Sequence, residues 1–178
     1  MATLNLPNTL TATRIVLIPV FVTAVIYKRH DYALYLFFVA ALTDIFDGLI
    51  ARMKNQKTAL GTFLDPLADK FLLVTSFVLF SIYSLVPTWL TITIISRDII
   101  VITGWMILYL VTHTSKVEAS GAGKAAIALQ LVLICFILLR LNFPSVPDVE
   151  GYLIWVTATF TIASGLHYVY RGLKQANA

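Results

Sequence analysis

The sequence predicts an all-α integral membrane protein, a bundle of six transmembrane helices preceded by a short amphipathic N-terminal lead. Three observations carry that prediction. Hydrophobic residues make up 59% of the chain and charged residues only 12%, about half the charge of a soluble domain. The mean hydropathy is +0.86. The apolar residues gather into long runs that exceed strand length and do not alternate polar with apolar, as membrane strands must. At about 20 apolar residues per span, 178 residues accommodate six spans in one domain, 1–178.

The lead, "MATLNLPNTL", has no charged n-region, and the apolar run after it continues into the body of the chain, unlike a cleavable signal peptide. The first span covers Leu10–Tyr27 and stops at "KRHD". The second, Tyr32–Met53, stops at "KNQK". The third, Pro66–Leu85, and the fourth, Pro87–Val111, are separated by "VPT". The polar stretch "THTSKVEASG" leads to the fifth, Gly121–Leu141. The turn-rich "NFPSVPD" leads to the sixth, Tyr152–Tyr170, before the tail "RGLKQANA".

An even span count puts both termini on one side. That side would carry Arg52, Lys54, Lys57, Lys116, Lys124, Arg171 and Lys174, against Lys28, Arg29 and Arg140 on the other. The positive-inside rule then places both termini in the cytoplasm. The net charge of +4 speaks to topology and anionic lipid, and no nucleic-acid partner is expected. The lone Cys135 allows no intrachain disulfide, and no zinc spacing is present; it reads as a small buried hydrophobe. Trp89, Trp105 and Trp155 read as belt or packing residues, and His113 and His167 as interfacial or packed histidines.

Against this apolar background the stretch "TDIFDGLIARMKNQKTALGTFLDPLADK", Thr43–Lys70, stands out. Asp44, Asp47, Asp65 and Asp69 are four of the nine acidic residues of the chain. Each uncompensated acid inside a span costs about 2.5–3.5 kcal/mol on insertion scales, so something positive must meet them. On a helix, Asp47, Ala51, Asp44, Gly48 and Arg52 share an arc of about 140°. Gly48 and Ala51 leave room there for a ligand. Asp65 and Asp69 are four apart and share a face of the next helix, with Gly61 four residues earlier. If the second and third spans pack antiparallel, the four carboxylates converge near the cytoplasmic boundary. Converging carboxylates suit hard divalent cations. Two such ions about 4 Å apart could clamp a diphosphate during phosphoryl-type displacement. Simpler readings exist for single residues. Asp65 could cap a helix with Pro66 at its first position. Asp44 and Asp47 could belong to a proton relay. Arg52, Lys54 and Lys57 could be a positive-inside anchor. None of these explains the joint spacing.

That spacing, D-x-x-D-G-x-x-A-R, eight residues, then G-x-x-x-D-x-x-x-D, is filled by Asp44, Asp47, Gly48, Ala51, Arg52, Gly61, Asp65 and Asp69. It resembles, without departure, the signature of the CDP-alcohol phosphotransferase family, and the resemblance extends over the whole chain. It implies a six-helix membrane enzyme, usually a homodimer. Such an enzyme transfers a phosphatidyl or related phospho-group from a CDP-alcohol to an acceptor hydroxyl and releases CMP. By the same resemblance Asp44, Asp47 and Asp65 are ligands of two divalent cations, Mg²⁺ or Mn²⁺. Asp69 completes the cluster and is the general base. Gly48, Arg52, Thr58 and Gly61 line the CDP pocket. Asn8, Thr11 and Arg14, spaced by three on one helix face, resemble family residues beside the active site; alone, they would read as a capped interfacial helix with a snorkelling arginine.

The opening "LPNTLT..R" and the short length resemble two subgroups of that family. One uses glycerol 3-phosphate as acceptor and makes phosphatidylglycerophosphate; the other uses phosphatidylglycerol and makes cardiolipin. A dianionic phosphate needs several cations, and the sequence offers Arg97 in "IISRDII" and Lys124 in "GAGKAA". Where the first subgroup carries a second arginine about two turns after the first, this chain has Trp105. The expected reaction is therefore CDP-diacylglycerol plus phosphatidylglycerol to cardiolipin, with glycerol 3-phosphate as the alternative acceptor. Arg97 could instead form only an intramembrane ion pair with Asp98, and Lys124 could merely end the fifth span. A different class, a small cation or proton-coupled carrier, also places acids on facing helices. It would not require Gly48, Ala51, Arg52 and Gly61 at fixed offsets, and would favour broken helices at the midplane.

Overall fold

The structure, a computed structural model, describes residues 6–54, 59–112 and 121–176, with side chains over 16–43, 70–104, 106–107 and 121–174. Six helices and no strands occur among the described residues: α1 Leu6–Ile26, α2 His30–Lys54, α3 Ala59–Ile82, α4 Thr88–Thr112, α5 Gly121–Asn142 and α6 Glu150–Ala176. The all-α class follows from the apolar run lengths. One helix among the described residues, α5, is long and apolar enough to cross a membrane. The others carry more polar residues or shorter described apolar stretches, Val16–Ile26 in α1 and Lys70–Ile82 in α3 among them.

Three elements differ from the sequence expectation, and one of them is α6, which runs from Glu150 to Ala176, six residues past the expected Tyr170. The lead is not a separate element from Leu6 onward, because α1 already includes it. Helix α3 starts at Ala59, seven residues before the expected Pro66. Asp65 therefore lies inside α3 and is not its N-cap. A proline in a helix removes one rung of hydrogen bonding, but the apolar residues before it, Leu60, Phe63 and Leu64, extend the same helical run.

The charged and polar breaks fold as defined turns. At the end of α1, the Arg29 amide donates to the Ala24 carbonyl at 2.9 Å and the Lys28 amide to Val25 at 3.0 Å. At the end of α3, the Leu85 amide donates to Phe80 at 2.7 Å and the Ser84 amide to Ser81 at 3.1 Å. Both are Schellman caps, with Lys28 at φ 55° and Ser84 at φ 56° in the left-handed position usually held by glycine. A side chain there costs about 1–2 kcal/mol, while glycine loses about 0.5–1 kcal/mol more entropy on folding. Ser84→Gly should therefore be stabilising by a net ~0.5–1 kcal/mol, seen as a higher midpoint of thermal unfolding in detergent. An unchanged or lower midpoint would contradict the cap.

By contact the chain groups into two compact units, Met1–Leu79 with Leu138–Val146, and Phe80–Ile137 with Pro147–Ala178. In the first, α1 packs on α2, with the buried rings of Phe21 and Phe37 at 6.4 Å between centroids. The Asn142 side-chain amide donates to the carbonyls of His30 at 2.9 Å and Leu138 at 2.8 Å, fastening the end of α5 to the start of α2. In the second unit, α4 packs on α6. Trp89 lies on Trp155 at 5.2 Å, Arg97 on Ser164, and Gly104 on Tyr168. Residue numbers rise together along both helices, so α4 and α6 run parallel.

Most buried side chains are apolar, but a few polar ones are buried while many large apolar ones are exposed. Arg97, Gln130, Thr157, Thr161 and Ser164 are buried, while Tyr35, Phe38, Ile92, Ile99, Ile102, Trp155, Phe160 and Leu166 are exposed. Cys135 is a free thiol, half-buried where a small buried hydrophobe is expected.

Candidate active site

The signature aspartates fall on two consecutive helices. Asp44 and Asp47 lie in the second half of α2, with Gly48 and Arg52 following, and Asp65 and Asp69 lie in the first half of α3, after Gly61. The side chains of all these residues lie outside the described residues, as do those of Asn8, Thr11 and Arg14 on α1; Thr58 is outside altogether. Helical backbone at Asp44 and Asp47 keeps the one-face spacing read from the sequence, and the same holds for Asp65 and Asp69. Among the described residues no group of three or more His, Cys, Asp or Glu is poised to hold a metal ion.

The described part of the candidate site is the Arg97 cluster between α4 and α6. Arg97 is 9% exposed although it is charged. Its Nε–H and an Nη2–H both donate to Ser164 Oγ, at 3.0 and 2.6 Å. An Nη1–H donates to Asp98 Oδ1 at 2.8 Å, forming the ion pair that the adjacent Arg-Asp sequence offers. One residue further on α6, a Cβ built on Gly165 would meet Arg97 Cγ at 3.3 Å, so the arginine stem lies directly against glycine backbone. A second polar contact backs the cluster: Gln130 Nε2 on α5 donates to Thr161 Oγ1 on α6 at 3.2 Å.

Two turns beyond Arg97, a cleft of about 210 Å³ opens between α4 and α6, lined by Ile100, Gly104, Ile107, Tyr168 and Leu173 among others. Its lining is almost wholly apolar and includes no cationic side chain among the described residues. Trp105 lies on α4 beside it; its side chain is outside the described residues. Lys124 sits exposed in the first turn of α5, so the structure does not bring it to Arg97 by any described contact. His167 is exposed on α6, and His113 is outside the described residues.

Sequence reasoning found Arg97 and its neighbour Asp98 but not Ser164. The signal was present: Thr157, Thr161 and Ser164 recur at helical spacing on one face of α6, and all three are buried. Such a buried polar stripe marks a side that packs against other helices, with Thr161 and Ser164 hydrogen-bonded there.

The described elements are all helical, and four aspartates stand at fixed offsets on two consecutive helices; comparison with known proteins gives the chain its family. The chain belongs to the CDP-alcohol phosphatidyltransferase family, whose model matches residues 4–163. It is 35% identical to the CDP-diacylglycerol–glycerol-3-phosphate 3-phosphatidyltransferase of Bacillus subtilis, over 97% of this chain and 99% of that one. It is 34% identical to a probable phosphatidylglycerophosphate synthase of Mycobacterium tuberculosis, over 96% of this chain and 82% of that one. It is also 34% identical to the human cardiolipin synthase (CMP-forming), over 96% of this chain and 62% of the human protein.

Proposed function

We propose that the chain is a multi-pass membrane enzyme of phospholipid synthesis that transfers the phosphatidyl group of CDP-diacylglycerol to phosphatidylglycerol, giving cardiolipin and CMP. The observation that carries the choice of acceptor is the state of Arg97. Asp98 already offsets its charge at 2.8 Å, and the position two turns on is Trp105, not a second cation. A missing charged hydrogen bond is worth about 1.5–3 kcal/mol, or roughly tenfold to hundredfold in affinity. A dianionic glycerol 3-phosphate would feel that loss. A phosphodiester carries one charge, and its acyl chains stay in lipid.

Embedding in the membrane is supported by the exposed apolar side chains on the described helices and by the buried polar ones between α4, α5 and α6. The parallel run of α4 and α6 fits a chain that crosses and recrosses, since the fourth and sixth spans then point the same way. The same proposal includes a homodimer with both termini and the active site at the cytoplasmic face.

Asp44, Asp47, Asp65 and Asp69 form an all-oxygen donor set suited to Mg²⁺ or Mn²⁺, and they are the residues that would hold two such ions. When bound, these ions would neutralise charge on the diphosphate and on departing CMP. The protein's own part is positioning and proton transfer. Gly48, Arg52, Thr58 and Gly61 would hold the CDP group, and Asn8, Thr11 and Arg14 would border it. Arg97, with Lys124, would meet the acceptor's phosphodiester. The Asp69 carboxylate takes the proton of the acceptor hydroxyl as that oxygen attacks the β-phosphorus. The new P–O bond forms as the bond to CMP breaks, and the electron pair leaves with CMP.

A second reading, glycerol 3-phosphate as acceptor, is favoured by the names of the Bacillus subtilis and Mycobacterium tuberculosis relatives. Purified enzyme given labelled CDP-diacylglycerol and both acceptors together separates the two by thin-layer chromatography. Cardiolipin should dominate. Phosphatidylglycerophosphate without cardiolipin would reassign the acceptor, and no acceptor-dependent CMP release at all would favour a carrier.

A further inference from the structure

We propose that Ser164 and Gly165 of α6 are positioning residues for Arg97, fixing the direction in which its guanidinium meets the acceptor's phosphodiester. The inference rests on the reading that Arg97 binds that group.

A guanidinium carries five N–H donors in a rigid fork. Ser164 Oγ receives the Nε–H at 3.0 Å and one Nη2–H at 2.6 Å, which closes one edge of the fork on a single oxygen. Asp98 Oδ1 takes one Nη1–H at 2.8 Å. Among the described residues this leaves one donor on each terminal nitrogen, Nη1 and Nη2. A phosphodiester oxygen needs donors of this kind, and they can be aimed only if the fork cannot rotate.

Asp98 alone would suffice to offset the arginine's charge. Ser164 adds no charge; its contribution is orientation. Both of its lone pairs serve one edge of Arg97, from 67 residues away in the chain. Gly165 fixes the stem. With Arg97 Cγ 3.3 Å and Cβ 3.9 Å from where a Gly165 Cβ would stand, an added methyl must push the stem by a few tenths of an ångström. Two consecutive α6 residues thus set both the stem and the head of one α4 side chain. The neighbouring hydroxyl of the stripe, Thr161, accepts from Gln130 and not from Arg97 among the described contacts.

The test is steady-state kinetics of the purified full chain, varying phosphatidylglycerol and CDP-diacylglycerol separately. Ser164→Ala should raise the acceptor KM about tenfold, the scale of one charged hydrogen bond, with kcat and the KM for CDP-diacylglycerol little changed. Ser164→Thr, which keeps the oxygen, should restore the acceptor KM. Gly165→Ala leaves no charge unpaired and should raise the acceptor KM in the same direction, so it reads the same quantity if Ser164→Ala does not fold. A loss confined to kcat, equal changes in both KM values, or no rescue by threonine would overturn the positioning role. Arg97→Ala separates the two levels. If it leaves the acceptor KM unchanged, the underlying reading fails; if it raises that KM while neither α6 variant does, only the positioning role fails.

Discussion

Asp44→Asn or Asp47→Asn should lower turnover by about 10²–10⁴-fold, the several kcal/mol that a metal cation contributes to stabilising transferred charge. The expectation starts from cost. Nine acidic residues serve the whole chain, and four of them sit within 26 positions on α2 and α3. A hydrophobic chain would not retain that density of carboxylate unless cations met it. Asparagine keeps the size and one oxygen of aspartate but not its charge, so the substitution tests charge and not packing. Chelation should give the same result without mutation: activity should vanish in EDTA and return with Mg²⁺ or Mn²⁺. Full activity in EDTA, or Asp47→Asn within a few-fold of the unmodified enzyme, would remove the two-metal proposal. The family membership would stand, since it rests on the match over residues 4–163.

How much of this was legible in the sequence depends on what kind of signal each feature leaves. Helices α4 and α5 were expected at Pro87–Val111 and Gly121–Leu141 and lie at Thr88–Thr112 and Gly121–Asn142. Proline or glycine marks the start of each run, and such residues act locally. Helix α3 starts at Ala59 and not at Pro66 for a related reason. Asp65-Pro66 has the look of a helix start, yet the apolar residues before it join the same helix. The turn after α1 was expected from its charges, but a left-handed lysine at φ 55° was not, because glycine is the usual marker. The Arg97–Asp98 pair was legible as neighbours in sequence. The Ser164 contact was not, since periodicity reports which face of a helix is polar and not which partner that face meets.

Asp69→Asn should abolish turnover while leaving CDP-diacylglycerol binding largely intact. Asp69 lies one helical turn after Asp65 on α3, so it shares the face of a proposed ligand while standing at the end of the set. The other three carboxylates would still hold the cations and, through them, the nucleotide. The acceptor hydroxyl, by contrast, would have no base. An alcohol must lose its proton as it attacks phosphorus, and a positioned carboxylate contributes about 10²–10⁴-fold to such a step. Asparagine can accept a hydrogen bond from the hydroxyl, so acceptor binding should also survive, but it cannot take the proton. The expected pattern is therefore a collapse in kcat with small changes in both KM values. Equilibrium binding of CDP-diacylglycerol in detergent, set beside CMP release, measures the two quantities independently. The comparison that decides it is with Asp47→Asn. If Asp69→Asn loses nucleotide binding as completely as Asp47→Asn does, Asp69 acts chiefly as a ligand, and the proton must go to another group.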